Sequence, residues 1–112
     1  MNKLRRKQIQ AAIDRLSEVK INIKKDCDKE IVANDLENIC SNVEYILSDE
    51  EYYMDNIPEN MQGGYRYEAA EEACDNLCDA IDDIVDALRD IDNKTEALNC
   101  IDEAVNHLYV AM

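Results

Sequence analysis

Phenylalanine and tryptophan are absent from the 112 residues, and only two glycines and one proline occur. An all-β sandwich leans on aromatic strand residues and on glycine and proline turns, so that class is all but excluded. No glycine-rich nucleotide loop is present, and no apolar run approaches the roughly 20 residues of a membrane span. The charged start Met1-Asn2-Lys3-Leu4-Arg5-Arg6-Lys7 is not followed by an apolar block, so no signal peptide is expected. Positive charge is also scarce: 12 Lys and Arg face 26 Asp and Glu, for a net charge of −14.

Hydrophobic residues make up 46% of the chain, enough for a core, and that core must be aliphatic. The odd set of cysteines (Cys27, Cys40, Cys74, Cys78 and Cys100) without an export signal points to a reducing compartment and free thiols. Charge is unevenly spread. Residues 1–29 hold nine basic and four acidic residues, whereas residues 30–112 hold three basic and 22 acidic ones. A body this negative repels nucleic acid and anionic membranes and attracts basic surfaces, many of which bind nucleic acid.

Pro58, Gly63 and Gly64 fall together and divide the chain into two breaker-free arms. Ile57, before proline, is pushed toward extended geometry, and the glycines offer positive φ, so residues 55–64 read as a loop. In the second arm Ala70, Cys74, Leu77, Ile81, Ile84, Leu88 and Ile91 alternate steps of four and three, a packing seam. Leu98, Ile101, Val105, Leu108 and Met112 form another, out of phase across the polar segment Asp92-Asn93-Lys94-Thr95. The first arm repeats the pattern. Ala12, Leu16, Val19 and Ile23 precede polar residues 24–29, and Leu36, Cys40, Val43 and Leu47 follow them. The spacing predicts a single all-α domain over 1–112, with helices near 3–24, 29–54, 66–91 and 95–111. A four-helix bundle and a long antiparallel hairpin, the latter dimeric, both fit.

Asp75, Asp79, Asp82, Asp86 and Asp90 step by four or three and share one helix face, with Glu68 and Glu72 extending the row and Asp83 thickening it. Asp75, Asp79, Asp82 and Asp86 each lie two residues before a seam position, about 200° round the helix, so the row is expected to point away from the core. Its carboxylates recur about every 5.5 Å of axis, against about 3.4 Å for the phosphates of one DNA strand. Like charges at i,i+4 cost a helix a few tenths of a kcal/mol per pair, and lysines that would offset them are missing. A solvated face, a polyanionic binding face and a divalent-cation site are the three readings. The third lacks any EF-hand spacing.

Tyr52, Tyr53, Tyr65 and Tyr67 flank the loop, either as interface anchors or as covers for the helix ends. Lys3, Arg5, Arg6 and Lys7, continued by Arg15, Lys20, Lys24 and Lys25, suit packing beside an acidic helix better than nucleic-acid contact. Cys74 and Cys78 lack the partners of a zinc site and read as small core residues. The one histidine, His107, has Glu103 four residues before it rather than the three of a di-iron bundle. No nucleophile has an evident base beside it, so no enzyme activity, cofactor or metal is expected.

The segment Asp55-Asn56-Ile57-Pro58-Glu59-Asn60-Met61-Gln62, with Arg66-Tyr67-Glu68-Ala69-Ala70-Glu71-Glu72-Ala73 after it, resembles small acidic helical proteins of phages and prophages in Gram-positive bacteria. The likeness covers about residues 44–90. It departs at Gly63-Gly64, where a serine is common, and in a long first arm. It implies phage origin, a helical fold and residence in the bacterial cytoplasm. Phage genomes also carry acidic anti-CRISPR and anti-restriction proteins that imitate DNA. The resulting expectation is a binding protein that inhibits a host nucleic-acid-binding defence protein, such as a CRISPR effector nuclease. Asp75, Asp79, Asp82, Asp83, Asp86, Asp90, Glu68 and Glu72 would stand in for phosphates, with the four tyrosines as secondary anchors. The other expectation is a helical assembly or adaptor protein, a homodimer.

Overall fold

A computed structural model describes all 112 residues. Four helices run in order: α1 (Lys3–Lys24), α2 (Lys29–Asp55), α3 (Tyr65–Arg89) and α4 (Lys94–Ala111), with a short 3-10 turn at Glu59–Met61. They form an up-down-up-down bundle of 52 × 21 × 17 Å. α1 packs on α2 and α4, and α3 packs on the same two, so α1 and α3 lie on a diagonal. The bundle, not the hairpin, is the architecture.

Three of the four helices start where the sequence supplies an acceptor for their free N–H groups. Asn2 accepts from Arg5 N, Asp28 from Glu30 N and Asn93 from Glu96 N. α3 starts differently, with Gly64 as an uncapped N-cap at φ −90°. Neither glycine takes positive φ. The left-handed residue is Asp26 in the α1–α2 turn, at φ 56°, a conformation that Asp tolerates better than most residues. What Gly64 provides is room, since a Cβ there would sit 3.2 Å from the Met61 carbonyl oxygen. The α1–α2 and α3–α4 turns meet at one end. There Lys29 Nζ reaches Asp92 at 2.8 Å and Lys94 Nζ reaches Asp26 at 3.1 Å.

The buried faces are rotated from the expected seams. Ile81, Leu88, Ile91, Val105 and Met112 are only partly buried, while Ala80, Ala87, Ala104 and Ala111 are in the core. Ala73, Ala80 and Ala87 on α3, and Ala97, Ala104 and Ala111 on α4, recur every seven residues and are all buried. Rows of alanine let two helices approach closely, and the larger residues beside them fill the flanks. In α2 the same rotation buries Val32, Ile39 and Ile46 and leaves Leu47 half-buried.

Candidate functional site: the outer face of α3

α3 separates its residues most cleanly. Ala70, Ala73, Cys74, Leu77, Ala80, Ile84 and Ala87 face inward, and Glu68, Glu72, Asp75, Asp79 and Asp82 are exposed. At about 1.5 Å per residue, Asp75 to Asp82 spans roughly 10 Å of one face. Asp75, Asp82, Glu68 and Glu72 make no ion pair, and Asp79 has no lysine or arginine partner, only His107 Nε2 at 3.9 Å. Acids in the last turn of a helix oppose its dipole, so Asp86 and Asp90 do not stabilise α3 through their position.

The row is not uniform. Asp86 is half-buried and paired with Arg89, and Asp90 is half-buried at the C-cap. Asp83 departs from the expected outward position. It sits on the flank facing α4 and accepts from His107 Nδ1 at 2.7 Å. Burial pushes its carboxyl above the ordinary carboxylate range, and the hydrogen bond and charge of His107 pull only part of the way back. Asp83 is therefore a fastener between α3 and α4 rather than part of the open row.

The tyrosines also divide. Tyr65 and Tyr52 are 86% and 73% exposed, whereas Tyr53 and Tyr67 are half-buried. The Tyr53 ring lies under the Arg5 guanidinium, 5.4 Å from its centroid. Cys74 is in the interior, and burial with the nearby Glu50 and Glu51 charges pushes its thiol up to about 12. Cys78, expected inside with Cys74, is exposed, because the inward face of α3 runs through Cys74, Leu77 and Ala80 and passes it by.

Two basic residues of α1 meet acids, on α2 and α4 rather than α3: Lys20 pairs with Asp102, and Arg5 with Glu50. Glu50 was not foreseen as a core residue. It is fully buried, takes the Arg5 Nε hydrogen bond at 2.5 Å on Oε2, and leaves Oε1 without a partner. A signal existed: Glu50 continues the seven-residue row of Leu36 and Val43, and Arg5 begins that of Ala12 and Val19.

A hollow of about 430 Å³ lies between the two turns, lined by Ile23, Val32 and Ile91 among charged residues. Its lysines, Lys29 and Lys94, are already engaged by aspartates. No three His, Cys, Asp or Glu side chains converge as a metal-ligand set, and no helix is long and apolar enough to cross a membrane. No family model, curated protein or solved structure matches the chain.

Proposed function

We propose that this chain is a non-catalytic binding protein whose α3 outer face occupies a basic, nucleic-acid-binding surface of another protein. The phage resemblance makes a host defence nuclease of the CRISPR or restriction kind the proposed target. One observation carries the reading: Asp75, Asp79 and Asp82 stand exposed in a row on a rigid helix, with no lysine or arginine of the chain paired to them. A row of fixed carboxylates attracts an Arg/Lys-lined channel at long range and speeds association, with strong salt dependence.

The test is DNA cleavage by CRISPR and restriction nucleases with increasing amounts of the protein. Wild-type protein should inhibit a susceptible nuclease, and Asp75→Lys/Asp79→Lys/Asp82→Lys should relieve inhibition while far-UV circular dichroism stays helical. Inhibition that survives the triple reversal overturns the reading. A second reading, an assembly or adaptor protein, draws on the exposed Tyr52 and Tyr65 at the loop end. On that reading, substituting those two tyrosines weakens partner binding more than charge reversal does.

A further inference from the structure

The outward face of α2 carries a second kind of stripe. Ile31, Asn34, Asn38, Ser41, Tyr45, Ser48 and Tyr52 step by 3, 4, 3, 4, 3 and 4, and every one is exposed. Tyr45 is 74% exposed and Ile31 56%. None is charged, in a chain that is 34% charged. The stripe runs roughly 32 Å at helical rise. Regular 3-4 spacing is the geometry by which one helix meets another, and an interface centre is depleted of charge and enriched in tyrosine. Beside the stripe, a groove of about 330 Å³ opens between α1 and α2, lined by Gln8, Ala11, Ala12, Arg15, Asn42, Tyr45 and Ile46.

The margins say what kind of partner fits. Glu30, Glu37, Glu44 and Glu51 repeat every seven residues along one edge and are exposed, and Asp35 and Asp49 lie along the other. In a helix pair these flanking positions face the flanks of the partner helix and set partner choice. A second copy of this chain is a poor occupant. Antiparallel pairing of two α2 helices sets glutamate edge against glutamate edge, and parallel pairing sets the glutamates against Asp35 and Asp49. From this arrangement we infer that the α2 stripe is a docking surface for an amphipathic helix of another protein, uncharged along its contact row and basic on both margins. This surface is separate from the α3 face and does not depend on the function proposed for it.

The probe is a synthetic 24-residue helical peptide with leucine and alanine along its contact row and lysine on both margins. Its control is a peptide of the same composition in scrambled order. Fluorescence anisotropy should show the helical peptide binding at least about tenfold more tightly than the scrambled one. Tyr45→Ala should cost about tenfold, as truncation of a buried aromatic anchor does. Tyr45 is exposed, so the variant folds, and circular dichroism checks that it does. Asp75→Lys/Asp79→Lys/Asp82→Lys should leave the difference between the two peptides unchanged. Equal binding of both peptides, no effect of Tyr45→Ala, or loss of the difference on α3 reversal overturns the inference. So does a homodimer, seen by analytical ultracentrifugation, that Tyr45→Ala dissociates.

Discussion

Glu50 shows how far a buried charge depends on a single partner. Its carboxylate is wholly buried and depends on Arg5 for compensation, and Arg5 in turn covers the Tyr53 ring. Removing one partner leaves an uncompensated buried charge, which costs about 3–5 kcal/mol, whereas replacing both with apolar groups of similar volume is often neutral or stabilising. Urea denaturation should therefore show Arg5→Met strongly destabilised and Arg5→Met/Glu50→Leu restored to near or above wild type. A double variant as unstable as the single one would contradict this. Asp83 supplies a pH signature. Its carboxyl is raised by burial in the fold, so the unfolded chain releases that proton first. As pH climbs from the ordinary carboxylate value through the raised one, ionisation of Asp83 subtracts stability, and below that window it subtracts none. Asp83→Asn cannot ionise, so its stability relative to wild type should rise with pH across the window and then level off. Urea midpoints from pH 3 to 7 measure this, and a constant or falling difference would count against it.

At the scale of helices, what could be read in advance depended on which residues carried the pattern. The α1 bounds and the turns at residues 25–28 and 90–93 follow from polar, out-of-phase segments with Asp and Asn caps. The inward face of α3 was less legible, because alanine is apolar enough to bury yet common enough on surfaces to be passed over. Isoleucine and leucine therefore drew the expected seam toward Ile81 and Leu88, and the buried Ala73–Ala80–Ala87 row displaced it. The consequence is testable. Ala80→Leu or Ala104→Leu inserts bulk where the helices meet and should cost about 1–3 kcal/mol by thermal or urea unfolding, as overpacking does. Were either tolerated without loss, the alanine rows would not be the contact. The neutral row of α2 was missed for a related reason: asparagine and serine do not register as a seam, although their spacing is as regular as that of the leucines.

Over the whole molecule, charge is arranged by position in the ring. α1, the basic helix, binds acids on its neighbours α2 and α4 through Glu50 and Asp102. The diagonal places α3 out of its reach, so the row Asp75, Asp79 and Asp82 keeps its field directed outward. The excess of acid over base was plain from composition. Which carboxylates stay unpaired was not, because that depends on which helices become neighbours. His107 with Asp83 and Arg89 with Asp86 withdraw two members that spacing alone would have included.

Competition with nucleic acid is the sharpest check on the proposal that the open α3 row takes the place of phosphate on a basic partner. A protein partner recovered on the immobilised chain from host lysate would be titrated with duplex DNA at fixed salt. DNA should release the partner, and Asp75→Lys/Asp79→Lys/Asp82→Lys should fail to retain it. A partner held equally by the reversed chain and indifferent to DNA would rule the proposal out.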